Sequence, residues 1–342
     1  MSEEGRVFLR GISSEQYGLS EFRRHQLASP RVIRQGIALT RESVGYSVDS
    51  DEARTVWFVG PGDEPFLTQT LQVHSVELAP GGSNRGHGHQ NEACFYILEG
   101  RGYEIHDGVR YDWEKDDVVM VHSESHHQHF NASQTERALA LVMKAKAAWM
   151  YLGLWQQGRA RPLEHPERYG EAQDWSRLWT PGLEARRKVV KKADTRWEDT
   201  PDGRLRVISS PERTDVRTNS VDLYQQEIPP GGRSSRHWHM ADEICYVMGG
   251  SGHSLHWEVA AEIGERYRAR FANEPTRWDV VAGDLLYVPQ NTVHQHRSDG
   301  DESLLLVVAQ NRLFKLLGYD SVVRLEEATG PAAGREATGT RA

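Results

Sequence analysis

The sequence predicts an all-β protein made of two β-barrels with a few peripheral helices, and three observations predict it. The stretch PGGSNRGHGHQNEACFYILEG (80–100) recurs as PGGRSSRHWHMADEICYVMGG (230–250), aligning His87 with His237, His89 with His239 and Gly100 with Gly250 at a constant offset of 150. A repeat that long is a whole domain rather than a solenoid module. Each copy places His-x-His among β-forming residues, and strand side chains alternate, so both imidazoles of a pair face one way. The two halves also end alike. ALALVMKAKAAWMYLG (138–153) matches SLLLVVAQNRLFKLLG (303–318) at an offset of 165, each a buried apolar strand running into a short helix.

Taken in order, residues 1–54 read as an N-terminal arm containing a helix and, in VIRQGIAL (32–39), a strand. Such an arm suits packing on the other barrel or on a partner subunit, and a homo-oligomer is expected. The first barrel is assigned to residues 55–153, with alternating β residues in LTQTLQVHSVEL (67–78) before a Pro-Gly-Gly turn. Residues 100–108 read as a hairpin turning at Asp107-Gly108, and DVVMV (117–121) as the strand leading to His127. Residues 154–200 form a connector, helical in part around 183–193, and residues 201–320 the second barrel. Gly100 and His127 are 27 positions apart, but Gly250 and His294 are 44 apart, the excess falling in 258–278. That insertion is a long surface hairpin or helix, or else a lid or dimer contact. The tail, 321–342, becomes low-complexity from Glu327 and is expected to be disordered.

Composition narrows the function classes. At 342 residues the chain can build two substantial cores. A net charge of −8 with scattered Lys and Arg argues against a nucleic-acid surface or a polybasic membrane patch. No apolar run approaches a bilayer span, and the N-terminus shows no secretory signal, so a cytoplasmic protein is expected. Two cysteines, Cys94 and Cys245, lie in strands of different repeats and make no disulfide framework.

The chemistry sits in the repeat. On a regular strand His237, His239 and Glu243 share a face, and His294 follows a Gly-Asp turn, a strand and a Pro-led turn. Three imidazoles and a carboxylate suit a first-row divalent ion. These residues resemble the cupin superfamily, whose first motif is G-x5-HxH-x3,4-E-x6-G. Gly231, His237, His239, Glu243 and Gly250 match it throughout. The second cupin motif is met by Gly283, Pro289 and His294, with Asn291 at its inner glycine and Ser298 at its final asparagine. The resemblance implies double-stranded β-helix (jelly-roll) barrels with metal on His237, His239, Glu243 and His294.

The first half keeps His87, His89 and His127, and Asn131 closes its second motif, while Asp116, His122 and Glu124 replace the Gly, Pro and Gly. Ala93 stands where Glu243 does. Glu92 is one residue away and points to the opposite face of a regular strand. A bend after His89 would bring it back as a fourth donor; without one the site is three histidines. His129 and His296 repeat the His-x-His spacing and face inward, where they either move protons for a substrate or hydrogen-bond to a ligand or carbonyl. Phe95, Ile97, Cys245 and Val247 share the ligands' parity, giving an apolar wall suited to an aromatic ligand.

Within cupins, HxHxxxA resembles the gentisate/salicylate 1,2-dioxygenase group. That resemblance implies a bicupin with Fe(II) on His87, His89 and His127, cleaving a hydroxylated aromatic carboxylate with O2. Manganese, nickel, copper and zinc also fit the donors. The complete second site departs from that group. Two alternatives stand beside it: a manganese bicupin resembling oxalate decarboxylase and acting on a small acid, and a non-enzymatic small-molecule binder.

Overall fold

In the computed structural model the described residues are 8–9, 12–13, 19–34, 46–50, 53–59, 68–154, 156–159, 166–171, 182–216 and 218–329. Each half builds a pair of facing antiparallel sheets. In the first half, a seven-stranded sheet runs in the spatial order 189–190, 118–121, 93–99, 138–144, 72–78, 53–59, 46–50. In the second, the corresponding order is 32–33, 285–288, 243–249, 304–311, 221–228, 203–209, 198–200. The two sheets match strand for strand. Gln72–Leu78 and Val221–Ile228 occupy equivalent places, so the repeat in sequence is a repeat in topology. The His-x-His strands, His87–His89 and Arg236–His239, lie in the opposing sheets, paired with Ser125–Asn131 and Thr292–Ser298.

Turn chemistry explains why the imperfect second motif still folds. Asp116, Glu124 and Asn291, at glycine places of the motif, have φ of 70°, 60° and 58°, as Gly283 does at 92°. Acidic and amide side chains tolerate this left-handed conformation better than branched ones, so the turns survive without glycine. At Gly250 a side chain has no room, since a Cβ would lie 2.3 Å from the Ser303 carbonyl oxygen. The Asp107-Gly108 turn joins Arg101–His106 to Val109–Glu114 with φ of 48° and 82°, the two-residue hairpin geometry.

Three cores result. One fills the first barrel around Phe95, Ile97, Val119 and Val142. A second fills the other barrel around Cys245, Val247, Leu286 and Val308. The third lies between the barrels, where Cys94, Tyr96 and Leu141 meet Leu223, Ile244 and Val307. Alternation makes this economical: along 93–99 one parity faces its own barrel and the other the neighbouring one.

The elements revise several boundaries. Tyr46–Ser50 and Ala53–Val59 already belong to the first barrel's sheet, so that barrel begins before residue 55. Val32–Ile33 pairs with Leu285–Leu286, carrying the arm onto the second barrel; residues 35–39 lie outside the described residues. Instead of one helix, 183–193 holds a 3-10 turn, Leu183–Ala185, a short strand, Val189–Val190, and a further turn begun at Lys192. The 258–278 insertion is a hairpin, formed by the end of Ser251–Ile263 and by Tyr267–Phe271. Within the expected tail, Val323–Glu326 pairs with the Arg236–His239 strand, and Thr329 bridges to Arg233. These residues are part of the second barrel; residues 330–342 lie outside the described ones. Among the described residues no helix is long and apolar enough to cross a membrane.

Candidate metal centres

Strand alternation delivers the imidazoles as the repeat requires. In the first barrel the His87, His89 and His127 rings lie 4.3–5.6 Å apart, centroid to centroid. In the second, His237, His239 and His294 form nearly the same triangle, at 4.2–5.3 Å. Pairing fixes this: His127 sits opposite His87 in register, and His294 opposite His237.

The orientation of each ring is set by the backbone. Nδ1 of His87, His89 and His127 lies 2.9, 2.6 and 3.1 Å from the carbonyl oxygens of Arg85, Asn91 and Ser125. Nδ1 of His237, His239 and His294 lies 3.2, 3.0 and 3.0 Å from those of Ser235, Ala241 and Thr292. A carbonyl only accepts, so each Nδ1 carries the hydrogen and each Nε2 presents a lone pair inward. Nε2 of His127 and of His294 is buried with no hydrogen-bond partner. Orphaned buried acceptors converging at this spacing fit a divalent cation, and each triad can hold one.

Burial disfavours the charged form of four of these rings, His89, His127, His237 and His294. It brings His89 down to about 3, with help from the Lys144 charge, and His237 down to about 4, with help from His239. His127 and His294 are pushed well below the ordinary range for the same first cause. Neutral imidazole is the ligating form.

The two centres differ in one corner. In the second barrel Glu243 lies beside the triad, its oxygens 3.7 Å from His239 Nε2 and 3.8 Å from His294 Nε2. Burial alone would raise this carboxyl, but its contacts with His239 and His296 hold it well below its usual range. Gln310 Nε2 donates to Glu243 Oε2 at 2.6 Å and the Tyr224 hydroxyl donates to the same oxygen at 3.2 Å. His296 Nε2 lies 3.6 Å from Glu243 Oε1, and Cys245 Sγ 3.3 Å from it.

In the first barrel Ala93 occupies Glu243's place and is fully buried. Glu92 does not return to replace it. Its Oε2 accepts from the backbone N–H groups of Asn219 and Ser220, at 2.6 and 2.9 Å, and from the Ser220 hydroxyl at 3.0 Å. The chain does bend, at Gln90 and Asn91 between the two strands, but the bend carries Glu92 to the contact between barrels rather than to the triad.

The residues around Ala93 differ in concert, a feature the sequence repeat did not single out. Sheet register puts His74 at Tyr224's place and Lys144 at Gln310's. Both groups that hold Glu243 are absent together with the carboxylate. His129 faces inward as expected, 4.4 Å from the Phe95 ring and with Nδ1 3.7 Å from Glu104 Oε2. Glu104 also escaped the motif reading. It is wholly buried, and burial pushes its carboxyl well above the usual range while bringing His129 down to about 3. Trp238, between the paired ligands, points outward and donates to Asn291 Oδ1 at 2.9 Å.

Two facing sheets per half, each half enclosing a convergent triad of histidines, define a two-barrel β protein with two candidate metal centres. A sequence profile described as the cupin domain matches residues 74–144 and 224–309. The profile thus finds one cupin domain segment in each half, a bicupin-like arrangement. Its fold is similar to salicylate 1,2-dioxygenase from Pseudaminobacter salicylatoxidans, with a TM-score of 0.59 and 12% identity over 79% of this chain and 80% of that one. It is similar also to oxalate decarboxylase from Lactobacillus farciminis, with a TM-score of 0.58 and 13% identity over 87% and 89% of the two chains. In sequence it is 26% identical to auxin-binding protein 1 of Arabidopsis thaliana over 101 residues, which is 29% of this chain and 47% of that relative. The match therefore spans about half the relative's length.

Proposed function

We propose that this bicupin is an Fe(II)-dependent dioxygenase that cleaves a small hydroxylated aromatic carboxylate with O2 at the first barrel. The observation that carries this reading is the selective loss at that centre. His87, His89 and His127 keep their geometry while only the carboxylate corner has become Ala93, together with its two former partners. Three neutral donors leave a divalent ion its full charge and more open positions than four donors do. Fe(II) held there supplies the charge and electrons for joining dioxygen to an aromatic ring. The chain's own residues do the rest. Ala93 puts a small side chain where the second barrel has a carboxylate, and Phe95 and Ile97 form the apolar wall. His129, beside the buried Glu104, moves protons at its Nε2, which is buried and without a hydrogen-bond partner. The enzymes of similar fold take salicylate and oxalate by name, both small carboxylates.

A second reading rests on the complete second barrel. His237, His239, Glu243 and His294 suit manganese and a small dicarboxylate, with His296 as the proton-moving group. Oxygen uptake by anaerobically iron-loaded protein, measured against a panel of hydroxylated aromatic acids, decides between them. Ala93→Glu and His87→Ala are expected to abolish uptake and His237→Ala to spare it. Full activity in Ala93→Glu with complete loss in His237→Ala would move the chemistry to the second barrel.

A further inference from the structure

We propose that the second barrel holds a ligand site distinct from its histidine triad, a cavity beside His256 that takes a small, single-ring monocarboxylate. The site is independent of which barrel performs the chemistry above.

Register places the cavity. Strands Thr276–Val281, Ser251–Ile263 and Thr292–Ser298 run side by side, with Trp278 opposite Ser254 and His256 opposite His294. Residues paired across strands share a face, so Trp278, His256 and His294 look into the same interior. His256 stands between the other two, its ring 6.5 Å from that of Trp278 and 6.4 Å from that of His294. His256 and Trp278 both line a cavity of about 180 Å³, to which His237, His239 and His294 do not contribute. Leu27 and Arg31 of the N-terminal arm complete its wall.

The wall carries polar atoms that the protein leaves unused. Both ring nitrogens of His256, a residue only 4% exposed, lack a hydrogen-bond partner, and so does the buried indole N–H of Trp278. Buried polar groups are otherwise hydrogen-bonded, so these atoms mark a place for an occupant. Burial, helped by the Arg31 charge, disfavours the charged form of His256. A neutral ring offers one N–H, and with the indole that makes two donors in one wall.

The first barrel shows what fills the equivalent place when the protein fills it itself. His106 lies opposite His127 as His256 lies opposite His294. The Lys188 carbonyl accepts from Met120 N–H as the Arg31 carbonyl accepts from Tyr287 N–H, so these two side chains correspond. At Ser254's place, however, stands Glu104, its Oε1 3.8 Å from His106 Nδ1. One barrel thus encloses a carboxylate beside its histidine. The other has a serine, its hydroxyl buried without a partner, and a cavity alongside. A ligand carboxylate there supplies to His256 what Glu104 supplies to His106.

Size and lining set the rest of the ligand. An apolar cavity of ~150 Å³ holds benzene, so this one suits a single ring bearing a carboxylate. Leu27, Val259 and the Trp278 ring flank that ring. Glu258, exposed in the same wall, opposes a second carboxylate.

Binding is read by NMR on full-length protein labelled with heavy nitrogen and freed of metal, so that no cation in either triad holds the probe. Among the resonances of the ten tryptophans, that of Trp278 is the one missing from Trp278→Phe. Benzoate is expected to shift it saturably, and to bind more tightly than benzyl alcohol, a neutral molecule of similar size. His256→Leu should weaken benzoate at least about tenfold and leave benzyl alcohol within about twofold. Should His256→Leu fail to fold, Trp278→Phe followed by calorimetry should lose benzoate affinity at least about threefold. A Trp278 resonance unmoved up to ~10 mM benzoate means a cavity that holds water only, and overturns the proposal. Equal affinity for benzoate and benzyl alcohol, or undiminished benzoate binding in the variants, overturns it too.

Discussion

His106 and His122 are held down to about 3 by burial, and they belong to a wider set. His74, His89, His127, His129, His237, His256 and His294 are likewise depressed, with burial as the first cause in each. The sign follows directly. An unfolded histidine takes a proton as pH falls through about 6.5, whereas these rings stay neutral in the fold until far lower pH. The unfolded chain binds more protons throughout that window, so stability present above about 6.5 is lost as pH falls toward the depressed values. Glu92, Glu104 and Asp242, raised by burial, run the opposite way but are fewer. The urea midpoint of the metal-free protein should therefore drop steadily from pH 7.5 to pH 5. Metal should recover part of the loss, because it competes with protons for four of these rings, His89, His127, His237 and His294. A flat or rising midpoint over that range would show that the carboxyls dominate. The triad histidines were legible in the sequence because His-x-His spacing fixes the face of one pair and the second motif marks His127 and His294. His74, Lys144, Tyr224, Gln310 and Glu104 were not, since each reaches its site through register with another strand, which no local pattern encodes.

Whole elements show the same division. The repeat announced the central strands, and Asp107-Gly108 announced its hairpin, because alternation and left-handed turn residues are local signals. The edge strands were hidden. Val189–Val190, Val32–Ile33 and Val323–Glu326 are too short for periodicity and are strands only because a sheet edge receives them. Val32–Ile33 does most for its neighbour. It covers the Leu285–Val288 edge, and the arm adds a bond from Tyr287 N–H to the Arg31 carbonyl at 2.7 Å and one from Arg34 to Asp284 at 2.9 Å. Removing residues 1–34 should expose that edge, lower the melting temperature by several degrees and promote self-association, as sedimentation would detect. A truncated chain with unchanged melting and unchanged assembly state would mean that the arm only decorates the barrel.

At the scale of the molecule, the barrels are joined by a reciprocal clasp that obeys the repeat. Glu92 of the first barrel accepts from Asn219 and Ser220, at the entry of the Val221–Ile228 strand. Its counterpart Asp242 accepts from Thr70 N–H at 3.0 Å, from the Thr70 hydroxyl at 2.7 Å and from Leu71 N–H at 3.4 Å, at the entry of Gln72–Leu78. Each carboxylate follows its His-x-His strand and faces away from the histidine triad, so neighbouring residues position the triad and fasten the other barrel. Cutting a carboxylate strands buried donors, which costs about 1–3 kcal/mol apiece. Glu92→Ala and Asp242→Ala should each lower stability by at least about 2 kcal/mol on that basis. Because the apolar cluster between the barrels ties both into one core, unfolding should remain a single transition in either variant, with the two losses adding in the double variant. Two resolved transitions in the unsubstituted protein, or a loss below about 0.5 kcal/mol in Glu92→Ala, would show barrels that fold independently and a clasp that merely accompanies their contact.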